Sequence, residues 1–199
     1  MPVTAAANAI ITWAEYKTAL GVTSDDEQDR YQDLINKASA RIELYTRRKL
    51  KALDYTSAAA LVLDGSGRDT LVLPHHPVNS ISHLYIDTGR VFASDSEVGA
   101  TEFSLRKNEG FIVLYDGAYF PRGVDVVKIE CNAGYASTTP EWATLQTACL
   151  ELVRWMASRF SGFIGKRVET NADGMNVGYE IEIPLNVRSM LDPFVEAAA

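Results

Sequence analysis

Two cysteines and three histidines are the only thiols and imidazoles in this 199-residue chain. Cys131 and Cys149 form no C-x-x-C pair, so the spacing of a structural zinc site is absent. One lies in an expected strand and the other on an expected apolar helix face. That favours two buried thiols over a disulfide. His75, His76 and His83 form no H-x-x-x-H pair. Pro74-His75-His76-Pro77 reads as a turn, because adjacent side chains in an extended segment point apart. There is no G-x-S-x-G nucleophile elbow and no P-loop. Gly65-Ser66-Gly67 is too short to cradle a phosphate. No run of eighteen apolar residues occurs, so no membrane span is expected. The start, M-P-V-T-A-A-A-N-A-I-I-T, lacks a basic n-region and is not read as a signal peptide. Positive charge is also short: the formal net charge is −7 and the pI is near 5.0, against a nucleic-acid binder of the basic-patch kind. These gaps leave no catalytic residue, metal or cofactor to expect.

What is present centres on Val126 to Phe160. Val127, Ile129 and Cys131 alternate with Val126, Lys128, Glu130 and Asn132, the period of a half-buried strand. Gly134 can supply the positive φ of a turn. Thr139 is a natural N-cap and Pro140 suits the first helical position. Trp142, Leu145, Cys149, Leu152, Met156 and Phe160 then fall at helical spacing and make one apolar stripe.

Upstream, residues 1–11 read as a loose arm. Thr12 and Glu15 form a capping box for a short helix that Gly21 ends. Ser24 and Glu27 repeat the capping signal for a second helix, about Asp25 to Lys49, with the stripe Tyr31, Leu34, Ile35, Ala38, Ile42 and Tyr45. Acidic residues crowd its start and Arg47, Arg48 and Lys49 its end, an order that suits the helix macrodipole. The same three cations could instead contact DNA or a partner. Residues 53–133 switch to short alternating runs. Ala60–Asp64 and Arg68–Leu73 look like a hairpin around Gly65-Ser66-Gly67. Asn79–Asp87 is a strand of irregular spacing, Val91-Phe92 a return strand, and residues 101–116 another hairpin. Strands grouped between helices indicate an α+β fold. The expected architecture is a small helical bundle (12–50 and 139–161) with an inserted antiparallel β region of six or seven strands, together one domain over 1–161. An extended C-terminal arm, 162–199, follows. Within it 161–178 is Gly-rich and expected to be mobile, Glu180–Ile183 alternates like a strand, and Pro184 opens a short terminal helix. Its apolar anchors either pack on the chain's own core or enter a partner's groove.

Four stretches in this order resemble the head–tail connector, or adaptor, proteins of tailed bacteriophages and gene transfer agents. They are L-G-V-T-S-D-D-E through I-E-L-Y-T-R-R (20–48), L-P-H-H-P-V-N-S-I-S-H-L-Y-I-D (73–87), V-K-I-E-C-N-A-G-Y with P-E-W after it, and the tail L-N-V-R-S-M-L-D-P-F (185–194). The resemblance implies a virion protein of the neck, made in the host cytoplasm and without catalysis. It implies a ring of about twelve subunits, docked on the portal protein and receiving a stopper or tail protein, with double-stranded DNA passing through. It points to Leu185, Val187, Met190, Leu191 and Phe194 as portal-binding, on a tail that folding should not need. A stopper or tail-terminator ring is the alternative. A small enzyme or carbohydrate-binding domain using Trp142, Tyr119, Phe120 and the histidines is a third reading. The connector reading requires the Trp142-to-Phe160 stripe to pack on the Tyr31-to-Tyr45 stripe.

Overall fold

The computed structural model describes residues 2–160, 168–170, 176–178 and 183–195. They divide into two compact units: a helical one, Met1–Lys49 with Thr138–Ala199, and a β one, Leu50–Ser137. The chain is thus mixed helix and antiparallel sheet.

In the helical unit, α1 (Trp13–Leu20) starts at the expected capping box: Glu15 N–H donates to Thr12 Oγ1 at 3.2 Å, and Thr12 N–H to Glu15 Oε2 at 2.6 Å. It stops at Gly21, whose φ of 65° is left-handed. α2 (Gln28–Thr46) begins later than the expected Asp25. The Ser24 hydroxyl is spent on Asp26, accepting its N–H at 3.1 Å and donating to its carboxylate at 2.6 Å, so no side chain caps α2. α2 also ends earlier than expected. Arg47 turns left-handed (φ 60°), which places Arg47, Arg48 and Lys49 beyond the last turn. α3 (Pro140–Phe160) starts where Thr139 Oγ1 accepts the N–H of Trp142 at 3.3 Å.

The stripes of α2 and α3 meet. Leu34, Ile35, Ala38 and Ile42 are buried, as are Trp142, Leu145, Ala148, Cys149, Leu152, Val153 and Met156. Ser39 Oγ lies 3.8 Å from Cys149 Sγ at their centre. Each large apolar side chain buried there is worth about 1.5–3 kcal/mol against exposure. Trp13, Tyr16 and Tyr31 stack in a cluster, with centroids 5.0–5.9 Å apart. The expected loose N-terminal arm is instead pinned along α2. Val3 and Ala6 N–H donate to Asp29 and Asn36, Asn8 to Glu43, and Ile10 N–H to Ser39. Asp29, Asn36 and Glu43 recur every seven residues, so one polar face of the helix binds the segment, and Ala9, Ile10 and Ile11 end up buried. α4 (Leu185–Leu191) packs on α3 and runs into a 3-10 turn, Asp192–Phe194. Tyr45 donates to Asp192 there at 2.6 Å. Residues 180–182 of the expected strand and most of the Gly-rich stretch lie outside the described residues, and Ile183, which is described, is buried and belongs to no strand. Two short strands fall within that stretch, β8 (Val168–Thr170) and β9 (Asn176–Gly178), and they pair antiparallel.

The β unit is built on β7 (Gly123–Ala133). β4 (Val78–Ile86) pairs with one edge of it, through two register shifts that account for its irregular apolar spacing. β1 (Leu53–Tyr55) and β2 (Leu61–Gly65) lie end to end along the other edge. β3 (Thr70–Val72), β6 (Phe111–Leu114) and β5 (Phe103–Arg106) form a second antiparallel sheet. Both sheets contribute to one core, with Val127, Ile129, Cys131 and Ala133 inward along β7 and Leu71, Ile112 and Phe120 from beyond it. The expected hairpin between β2 and β3 does not form. Gly65-Ser66-Gly67 carries the chain from one sheet to the other, because Gly67 N–H is taken by the Phe120 carbonyl and Phe120 N–H by that of Arg68. A Cβ on Gly65 would lie 1.6 Å from the Pro121 carbonyl oxygen, so only glycine passes. Gly134 is equally constrained: its φ is 113°, and a Cβ would come within 2.4 Å of the Lys51 carbonyl oxygen.

Truncating Leu152→Ala in the α2–α3 seam is expected to cost about 2–5 kcal/mol in urea unfolding. Leu44→Ala, 79% exposed on the outer side of α2, is expected to stay within about 0.5 kcal/mol.

Candidate functional site

The expected return strand at Val91-Phe92 is replaced by a loop built on one carboxylate. Asp87 accepts the N–H groups of Gly89 (2.7 Å), Val91 (2.8 Å) and Phe92 (2.9 Å). Arg90 and Phe92 adopt left-handed backbone (φ 61° and 53°), which makes this convergence possible and a strand impossible. The three backbone donors, that of Phe92 foremost, hold the Asp87 carboxyl below its ordinary range. Arg90 Nε donates to the Val124 carbonyl at 3.0 Å, and Asp125 N–H to Asp64 at 2.9 Å. Segments 64–69, 87–92 and 115–125 therefore gather at one end of the β unit. Val91 (77% exposed), Val124 (60%) and Tyr119 (64%) stand out from it.

The helical unit has two further surfaces. α1 and α3 enclose an open groove of about 580 Å³, walled by Ala14, Thr18, Ala143, Thr147 and Leu150 and spanned by Gln146 donating to Glu15 at 2.9 Å. Its small, mostly apolar walls suit a packed side chain, and the Thr18 and Thr147 hydroxyls donate back to the Ala14 and Ala143 carbonyls of their own helices, each at 2.9 Å. The other surface is the end of α2. Arg47 is exposed, Arg48 half-buried, and Lys49 pairs with Glu43 at 3.3 Å. On α4 the five residues expected to bind portal separate. Val187, Leu191 and Phe194, at i, i+4 and i+7, are 1%, 0% and 5% exposed and belong to the unit's own core. Met190 is half-buried, and Leu185 is 70% exposed. Deleting 185–199 would strip that core, so the terminal helix is part of the fold.

The residues of the enzyme reading do not converge. Trp142 and Phe120 are buried in the two separate cores, while Tyr119 is on the surface. His75 stacks on Tyr55 at 4.9 Å, and His83 faces Glu97 at 2.7 Å. Among the described residues no three His, Cys, Asp or Glu side chains group as metal ligands, and no helix is long and apolar enough to cross a membrane. Burial pushes the Cys149 thiol up to about 12 and the Cys131 thiol up to about 11, the opposite of an activated nucleophile.

Among its described residues the chain shows two packed cores and several exposed faces and no cluster of catalytic side chains. Its lineage is given by the family model for head completion protein, which matches residues 9–196. The chain belongs to the head completion protein family. No curated protein sequence matches it. Among solved structures it is similar to a chain in the neck of a native gene transfer agent particle computed with C12 symmetry, at 20% identity and a TM-score of 0.62. A chain of the native gene transfer agent virion gives 18% and 0.60, and one in the neck of the empty particle, computed with C6 symmetry, 18% and 0.59. Each match covers 100% of this chain and 96% of the other. At such identities the likeness is one of fold.

Neither thiol is expected to react with a disulfide reagent in the folded protein at about pH 8, and both should react in denaturant; thiol titration reads this directly. Because Asp87 is depressed when folded, its hold on the loop is present above the ordinary carboxylate range. That hold is lost as pH falls through the lowered value. Amide exchange at Val91 and Phe92 should accelerate there, and in Asp87→Ala it should be fast at neutral pH as well.

Proposed function

We propose that the chain is a structural adaptor in the neck of a tailed phage or phage-like particle. Copies form a ring of about twelve below the portal protein, receive a stopper or tail protein on the opposite face, and surround the channel through which DNA passes. Membership of the head completion protein family over residues 9–196 carries this reading. The fold shared with chains of a gene transfer agent neck supports it, as does the C12 symmetry used for that neck. The long α2 and α3, locked by their stripes, give each subunit a rigid wall. A net charge of −7 suits a channel along which DNA slides without being held. No step of catalysis and no cofactor enters.

The portal contact belongs to the outward side of α4. Leu185 is the exposed anchor, Met190 borders it, and Val187, Leu191 and Phe194 hold the helix in place from inside. Co-sedimentation of the full chain with its portal tests both levels. The wild-type protein should bind. Leu185→Asp should lower portal affinity about tenfold or more with an unchanged melting temperature, whereas Leu191→Ala should lower the melting temperature. Absence of wild-type binding would contradict the adaptor role; unchanged binding by Leu185→Asp would move the contact elsewhere.

A further inference from the structure

We propose that the loop end of the β unit of one copy docks on the end of α2 of a second copy. The inference rests on the ring reading above and names its subunit interface. The loop end has the makings of a preorganised patch. Val91 and Val124 are exposed at 77% and 60%, on backbone fixed by Asp87 and Asp64 and by Arg90 bonding the Val124 carbonyl. A patch already ordered loses little entropy when it binds. Segments 64–69, 87–92 and 115–125 carry five carboxylates and three arginines, a formal charge of −2. Asp116 and Asp125 there, and Asp95 three residues beyond Phe92, are exposed, and their carboxylates make no hydrogen bond or ion pair among the described residues.

The end of α2 is its complement. Residues 41–49 carry four cations and one carboxylate, a formal charge of +3, around Leu44, which is 79% exposed. Arg47 stands out on a left-handed turn and makes no hydrogen bond or ion pair among the described residues. Apolar centres of similar size with opposite charged rims fit one another, and such rims fix register and speed encounter. Two loop ends would repel each other, which disfavours a two-fold dimer through this patch. The same charge turns the loop end away from DNA. Two different patches of one chain that match each other make a heterologous interface, which propagates head to tail and closes into a ring.

A charge-swap cycle on the full chain, read by sedimentation of the protein alone and of portal-bound copies, tests this. One set is Arg47→Asp with Lys49→Glu. The other is Asp95→Lys with Asp116→Asn and Asp125→Asn. Asp and Asn keep the positive φ at 47, 116 and 125. Each set alone should weaken self-association about tenfold or more, and the combined protein should return to within about threefold of wild type. Leu44→Ser and Val91→Ser, both at exposed positions, give an independent pair that should each weaken assembly without loss of fold. Wild-type assembly unchanged by either charge set, or losses that simply add on combination, would overturn the interface while leaving the ring. A wild-type protein that forms no multi-copy assembly even on portal would overturn the ring reading and this inference together.

Discussion

The helical unit depends on the seam between α2 and α3. Two apolar stripes at 3.6-residue spacing have no other way to leave water, and they meet with Ser39 against Cys149 at the middle. Everything else in the unit attaches to that pair. α1 adds the Trp13–Tyr16–Tyr31 stack, and burial there, with Tyr31 beside it, pushes the Tyr16 hydroxyl up to about 12. The N-terminal segment is bound along the polar face of α2, and α4 adds Val187 and Leu191 to the core. In the β unit β7 plays the same part, since β1, β2 and β4 all pair with it. In chain order that strand leads through Gly134 to Thr139 and α3, so both frames arise from one continuous stretch.

The parts legible in sequence were those set by local rules. Both stripes, the Thr12 capping box, the Gly21 stop and the Thr139-Pro140 start depend on residues within a turn of each other. The structure has them as read, the α3 stripe through Met156 with the Phe160 side chain outside the described residues, and α+β composition follows. What was not legible depended on partners far away in the chain. Gly65-Ser66-Gly67 looks like a hairpin turn until the 120–121 segment takes its backbone groups. Ser24 had two possible uses, and Asp26 won over the helix start. The N-terminal segment has no periodicity of its own; its order comes from Asp29, Asn36 and Glu43, which no local pattern on α2 sets apart.

The surfaces were harder to read than the cores. A short apolar terminal helix fits its own core and a partner's groove equally well by composition, and the structure gives three of its five anchors to the former. Arg47 to Lys49 looked like a complement to the helix dipole, but they stand past the helix end, with Arg47 exposed, Arg48 half-buried and Lys49 paired with Glu43. The loop end at Asp87 carried a visible turn signal in Thr88-Gly89-Arg90. The carboxylate that organises it shows only when three N–H groups converge on it. On the adaptor reading proposed above, these faces are where assembly takes place.

Assembly is also where the account is most directly tested. Electron microscopy of the full chain bound to its portal, averaged in two dimensions without imposed symmetry, should show a closed ring of about twelve copies stacked on one end of the portal with an open central channel. Single copies scattered on the portal surface, or a ring whose channel is closed by this protein, would contradict it.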